Sequence, residues 1–339
     1  MQANRGMSVV SAAVLLAATL SAQTPANEID AHINAAKAAA GLDYRATFVN
    51  LCFAGANPAL ANPAAGRGGG AARGAGPGAA PDRATWYASP YKVFDNLYWL
   101  GTRQHSSWAL QTTAGLVILD TNFWWATQPE IIDGLKTLGF DSRQIKYVVI
   151  SHAHGDHDQG AAELQKQFGA KVVMGAPEWE STLQRPPTAA GGVPTRDVTV
   201  GPAGMKLTVG ETTIDIIPTP GHTPGTLSYV FPVKDQGRTV MVAYSGGTLT
   251  GAFGANGARW DEYIDSQKRI ARAAAEAGAT VILSNHSEYD NAYTKARLIS
   301  AKREVGENHP FIVGADAVQR YFTVMIECAT ASKLRAGAK

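Results

Sequence analysis

The stretch ISHAHGDHDQG, Ile150–Gly160, sets three of the chain's eight histidines and two aspartates within seven residues, directly after the apolar run IKYVVI. A β-rich run that ends in so many metal-ligating side chains restricts the fold sharply. The run belongs inside a sheet, and its end belongs at a rim where other loops can reach the same point. On a continuing strand His152 and His154 would face one way. Gly155 and its polar neighbours predict instead that the chain leaves the sheet there, which lets Asp156 and His157 turn toward a second point.

The rest of the sequence supplies a sheet for that strand. YKVFDNLYWLG, SSWALQTT and GLVILDT are short apolar or alternating runs divided by turn residues, and they predict an antiparallel meander. Helical spacing over Gln128–Leu138, then IKYVVI, the histidine loop, a helix over AAELQKQFG and a strand at AKVVMG put strand and helix in alternation. KLTVG, TTIDIIPTP, TLSYVFPV and TVMVAYSGG read as further strands. Glu262–Ala277 reads as a helix, ATVILSN as a strand and Gly314–Leu334 as a last helix. Two halves, each with strands followed by helices, predict an α/β protein: a two-sheet sandwich with helices on its outer faces.

The start of the chain has a different character. Arg5 precedes the uncharged run MSVVSAAVLLAATL, and the small residues SAQT follow. Residues 1–23 are therefore expected to be an export signal, cut somewhere around Leu20 to Thr24 and too short to span a bilayer comfortably. A periplasmic or secreted protein, with no stable membrane insertion after cleavage, is the expectation. Residues 24–85 divide into an alanine-rich helix, Ile29–Leu42, with His32 on its surface, and a Gly/Ala/Pro-rich linker from Ala54 to Ala84. That linker is too poor in large side chains to offset the entropy of ordering. Residues 86–339 form the main domain, since 45% hydrophobic and 17% charged residues suit one substantial core.

Cys52 and Cys328 are the only cysteines. A pair would tie the N-terminal region to the last helix, but sequence separation leaves both the paired and the free state open. The net charge of +2, with dispersed Lys and Arg, offers no basic stripe for nucleic acid. A small-molecule substrate and a monomeric chain are the expectation.

Two more histidines stand where the first loop would need help. TPGHTPG places His222 just after TTIDIIPTP, and LSNHSEYD places His286 just after ATVILS. Should the three loops converge, six donors fall into two groups of three, each with room for a water or a substrate, as catalytic zinc requires. Imidazoles with a carboxylate favour zinc over iron or manganese. His105 and His309 read as ordinary hydrogen-bonding histidines; His105 could also approach the site from the neighbouring strand, but neither is assigned a ligand role. Asp120, ending the strand LVILDT, either steadies the metal loops through hydrogen bonds or caps its own turn. Trp124, Trp125 and Tyr289 lie just past strand ends and are candidate walls of a substrate site.

Taken together, His152-x-His154-x-Asp156-His157, His222 in a GHTPG turn and His286 resemble the metallo-β-lactamase-fold hydrolases over roughly Val93 to Leu334. The resemblance implies a four-layer αββα sandwich with two Zn2+ ions. His152, His154 and His222 would hold the first and Asp156, His157 and His286 the second, with Asp156 also catalytic by orienting the attacking water or moving its proton. Glyoxalase, lactonase and RNA-processing members usually carry a bridging aspartate after the strand that follows GHTPG, whereas VMVAYSGGTLT contains no acidic residue. That absence, the HSSWAL, HAHGDH and GAPEWE segments and the export signal are similar to the subclass B3 metallo-β-lactamases.

This similarity implies zinc-dependent opening of the β-lactam amide and, with it, antibiotic resistance. There is one departure: where B3 enzymes place a pair of serines, the first aligned position is Gly247. Ser245 and Thr248 are then the candidates for holding a substrate carboxylate. The competing readings are a related metallo-hydrolase of a lactone, ester or other amide, and a noncatalytic metal-binding protein whose linker recruits a partner.

Overall fold

Strand side chains alternate between two destinations, and that alternation builds the layers of this protein. A computed structural model describes residues 25–53, 78–248, 253–301 and 307–338. The expected export signal and most of the expected linker, residues 54–77, lie outside the described residues.

One sheet runs in chain order through β1 (Tyr91–Lys92), β2 (Leu97–Trp99), β3 (Trp108–Thr112), β4 (Gly115–Leu119), β5 (Ile145–Val149), β6 (Lys171–Gly175) and β7 (Val198–Val200). It is antiparallel from β1 to β4, confirming the meander, and parallel from β4 to β7. The second sheet contains β8 (Met205–Val209), β9 (Thr212–Pro218), β10 (Leu227–Asp235), β11 (Arg238–Ser245) and β12 (Val281–Ser284), in the spatial order β12-β11-β10-β9-β8. Only its β11–β12 pair is parallel.

Val117, Leu119, Val149 and Val173 point inward from the first sheet and meet Ile214, Tyr229, Phe231, Val242 and Leu283 from the second. Their neighbours Ile118, Val148 and Val172 point the other way, onto Ile131, Leu135, Leu164 and Trp179. Val230, Ala243 and Ile282 likewise leave the second sheet outward, onto Trp260, Ile264, Phe322 and Met325. The result is the expected αββα order of layers.

The main helices are α1 (Pro25–Ala40), α2 (Arg45–Cys52), α3 (Ala161–Phe168), α4 (Ala176–Leu183), α5 (Gly257–Glu276) and α6 (Ala315–Arg335). The helices expected at the C-terminal side are present with their limits shifted by a few residues. Over Gln128–Leu138 the expected helix begins as a wide turn, Thr127–Ile132, and becomes α-helical only over Asp133–Thr137. Pro129 lacks the N–H that a regular turn there would use. Among the described residues no helix is long and apolar enough to cross a membrane.

Residues of α1, α2 and the turn between them share a core with α6: Ala36, Ala40, Tyr44 and Leu51 pack with Val318, Tyr321 and Phe322. Cys52 and Cys328 form a disulfide across 276 residues, which settles the choice that spacing left open. The N-terminal helices are thus part of the outer layer over the second sheet.

This architecture positions the site by strand direction. Parallel β4, β5 and β6 send Asp120, the histidine loop and Gly175 out at one edge. Parallel β11 and β12 do the same for Gly246 and His286. The Leu227 N–H donates to Ser151 O at 2.8 Å, joining the start of β10 to the histidine loop between the sheets.

Candidate metal centre

The histidine loop turns as its sequence predicts: after β5 the chain leaves the sheet, and Gly155–Asp158 forms one helical turn. That turn divides the donors into two groups. His152 Nε2, His154 Nδ1 and His222 Nε2 lie 3.0, 3.1 and 3.2 Å from one another. The second group centres on Asp156 Oδ2, which is 3.3 Å from both His157 Nε2 and His286 Nε2. His157 Nε2 and His286 Nε2 are 3.2 Å apart. Tetrahedral zinc with bonds of the usual length separates its donor atoms by about 3.4 Å, so both donor sets fit such an ion.

The orientation of two of the rings is fixed from behind. His152 donates through Nδ1 to Gly246 O at 2.9 Å, which leaves a lone pair on Nε2 facing the other two imidazoles. His157 turns Nδ1 to Asp120 Oδ2 at 3.3 Å and presents Nε2 to the second group. Asp120 is fully buried and accepts from Ser151 N–H at 2.6 Å, Ser151 Oγ–H at 2.8 Å and Tyr244 O–H at 2.8 Å. It therefore steadies the metal loop, which is the first of the two roles read from the sequence.

Glu178, at the first turn of α4, was not singled out in the GAPEWE segment. Its buried carboxylate accepts the Ala153 N–H at 2.7 Å and the Gly225 N–H at 2.9 Å. One side chain thus joins the loop of His152 and His154 to the loop of His222. Arg259 reinforces the latter by donating to the carbonyls of Gly221 and His222.

Electrostatics separate the two groups. Burial, helped by the surrounding imidazoles, holds His152 well below its ordinary range, so it is a neutral ligand at physiological pH. Burial alone would lower His157 too, but the carboxylates of Asp156 and Asp120 outweigh it and raise the ring to about 10. Burial works to raise Asp156, yet His157 and the other rings drive it well below the usual carboxylate range. A cation at the second group therefore takes the place of a proton held among Asp156, His157 and His286.

The other expected residues divide. Ser245 lies on the opposite face of β11 from Tyr244, buried and directed to Tyr321 of α6 instead of the metal edge. This corrects its candidacy as a substrate contact. Tyr289 is also buried, in the core beneath α2, where its carbonyl accepts from Thr47 and its ring stands edge-on to His286 at 6.0 Å between centres; it backs a donor ring instead of walling the rim. Thr248 is buried at the end of the turn that follows β11, and residues 249–252 lie outside the described residues. Gly247 sits so close to the first group that an added Cβ would stand 2.8 Å from His222 Cβ and 2.9 Å from Thr226 Cγ2.

Trp124 and Trp125 are half-buried. Trp125 stacks on Phe123 at 5.0 Å between ring centres, and Phe123 meets His105 edge-on at 5.1 Å. His105 itself, read as having no ligand role, stands beside the second group with Nε2 3.6 Å from Asp156 Oδ2. His309 keeps the ordinary role expected of it, bonding Val93 O.

Comparison with known proteins agrees with this geometry. Residues 100–235, which include every donor named above except His286, match the model of the metallo-beta-lactamase superfamily. The fold is similar to that of a subclass B3 metallo-β-lactamase of Bradyrhizobium japonicum, with a TM-score of 0.58 and 26% identity over 70% of this chain and 90% of that one. A metallo-β-lactamase of Legionella gormanii superposes with a TM-score of 0.62 over 74% of this chain and 98% of that one, at 20% identity. Among curated sequences, the hydroxyacylglutathione hydrolase of Acidiphilium cryptum is 31% identical over 88 residues, 26% of this chain and 31% of that protein. The chain thus spans about a third of the length of the curated relatives it matches. Sandwich, paired donor clusters and matched region together give this chain the αββα fold of metallo-β-lactamase-type hydrolases, with residues 100–235 similar to the metallo-beta-lactamase superfamily.

Proposed function

We propose that this protein is a two-zinc hydrolase that opens the amide bond of β-lactam rings. Two zinc ions held by these donors would lower the pKa of a water molecule and polarise the carbonyl it attacks. The chain's own residues do the rest. His152, His154 and His222 bind on one side, and Asp156, His157 and His286 on the other. Asp156, touching three imidazoles, also orients the attacking water and accepts its proton. Trp125 and Phe123 supply an apolar face beside the second group, and Thr248 is the remaining hydroxyl candidate for a substrate carboxylate.

The observation that carries the substrate reading is the turn Gly246–Gly247. It lies directly against His152 and His222 and presents no carboxylate between the donor groups. Asp156 is the one carboxylate in either cluster among the described residues. The likeness to B3 enzymes over nine-tenths of a solved chain points the same way. Action in the periplasm or outside the cell belongs to this proposal and rests on the sequence of residues 1–23.

A second reading is favoured by one finding, the local 31% identity to proteins named hydroxyacylglutathione hydrolase. It takes a thioester, lactone or ester as substrate. Purified protein is to be tested against penicillins, cephalosporins, carbapenems, lactones and a hydroxyacyl thioester, before and after chelation and zinc repletion. Zinc-restored β-lactam turnover is expected. Efficient thioester or lactone turnover with no β-lactam turnover would overturn the substrate reading in favour of the second.

A further inference from the structure

The second donor group has a neighbour that three-ligand counting leaves unused. His105 is 3% exposed, and its Nε2 has no hydrogen-bond partner while lying 3.6 Å from Asp156 Oδ2. A buried polar atom without a partner is costly and calls for one. The ring cannot easily turn away. Thr102 Oγ1 accepts the His105 backbone N–H at 2.9 Å and bonds Nδ1 at 3.2 Å, so the far nitrogen is the one aimed at the site.

The backbone is equally fixed. His105 and His286 form an antiparallel bridge, flanked by Ser106 N–H to Asn285 O at 2.9 Å and Ser287 N–H to Gln104 O at 2.8 Å. The loop before β3 and the loop after β12 are thereby held as one piece. His105 and His157 flank His286, their ring centres 5.1 and 5.0 Å from it and 6.5 Å from each other. His105, Asp156 and His286 by themselves offer three ligand atoms within 4.8 Å of one another.

We propose that His105 is a fourth protein donor to the second metal ion, through Nε2, alongside Asp156, His157 and His286. The proposal rests on the two-ion reading above and extends it. Four protein donors make the complement of a structural zinc site, whereas three leave a position for exchange. The exchangeable position of the pair then belongs to the ion of His152, His154 and His222. The second ion is retained by the protein and keeps Asp156 in place.

The test is the metal itself. Zinc affinity of each site is measured by competition with a chromophoric chelator in the full chain and in His105→Ala and His105→Phe; the latter keeps a ring against Phe123 without a donor. The expected result is a second-site affinity at least about 10-fold weaker in both variants, with the first site unchanged. X-ray absorption of the zinc-loaded parent needs no variant to fold. It should count six imidazoles over two ions, from His105, His152, His154, His157, His222 and His286.

Five imidazoles in the parent, or folded variants with second-site affinity within twofold of the parent, would overturn the role of His105. A parent that binds one equivalent overturns the two-ion reading together with it. Two equivalents with no β-lactam turnover would refute the substrate reading alone, and a weakened second site in the variants would still support His105.

Discussion

Replacing Glu178 by Gln separates the support of the metal loops from their chemistry. Its two carboxylate oxygens each accept a backbone N–H, from Ala153 and Gly225, in a site closed to solvent. Glutamine is nearly the same size but offers one acceptor and one donor. Whichever way the amide turns, an N–H faces an N–H, and one buried donor loses its partner. A hydrogen bond to a charged group contributes about 1.5–3 kcal/mol, and an unsatisfied buried donor costs about 1–3 kcal/mol.

Loss of one charged acceptor and weakening of the other should therefore destabilise the fold by about 2–5 kcal/mol. The effect should be local as well as global, since Ala153 stands between His152 and His154 while Gly225 closes the turn of His222. Urea denaturation of the metal-free protein reads the first consequence. Chelator competition reads the second, an expected loss of about 10–100-fold in first-site zinc affinity with the second site little changed. A Glu178→Gln variant within about 0.5 kcal/mol of the parent, with unchanged first-site affinity, would refute the claim that this carboxylate couples the two loops.

Three further outcomes follow from other parts of the molecule. Asp120→Asn removes the acceptor that fixes His157 and should weaken second-site zinc affinity about 10–100-fold, measured by the same competition, while the first site is spared. Replacing Cys52 and Cys328 by Ser opens a 276-residue loop; chain entropy sets a ceiling of about 5–6 kcal/mol on the loss, with about 2–4 kcal/mol the usual range, visible as a lower Tm that reductant no longer changes. Glu130, buried beside the Ala88 N–H, has its carboxyl pushed up to about 9 by burial, against the pull of that N–H and of Arg83. Its folded pKa is above its unfolded value of 4.5, so its contribution is complete below about pH 4.5 and is lost as pH rises through about 9. Glu130→Gln should flatten that decline, and Tm profiles of parent and variant that run parallel across this range would contradict the assignment.

Much of the site was legible because its chemistry is contiguous. His152, His154, Asp156 and His157 occupy six positions after one strand, and no fold could scatter them widely. His222 and His286 were legible for another reason, that each follows an apolar strand and parallel neighbours end at a common edge. For His105 an approach from the neighbouring strand was legible but its aim at the second donor group was not, because that depends on a backbone bridge to His286 across 181 residues of sequence. Nothing within HSSWAL reports that bridge. Glu178 was hidden likewise, since its partners are backbone N–H groups that carry no sequence signature.

The error at Ser245 had a usable signal. Tyr244 and Ser245 are adjacent in β11, so if one faces the interior beside Asp120 the other must face the helices. Tyr289 misled because a residue past a strand end turns under the rim as readily as over it; the one-turn helix Ser287–Asp290 buries its ring behind His286. At the N-terminus the alanine-rich helix was legible from propensity, but its docking on α6 depends on the disulfide and the core around Tyr44, both set by contacts distant in sequence.

The most direct measurement is metal stoichiometry after full removal and stepwise return of zinc, in the parent and in His222→Ala. The account predicts two tightly held equivalents in the parent and, in the folded variant, loss of one while the second remains. A parent that retains no zinc, or a variant that still holds both equivalents with parental affinity, would contradict it.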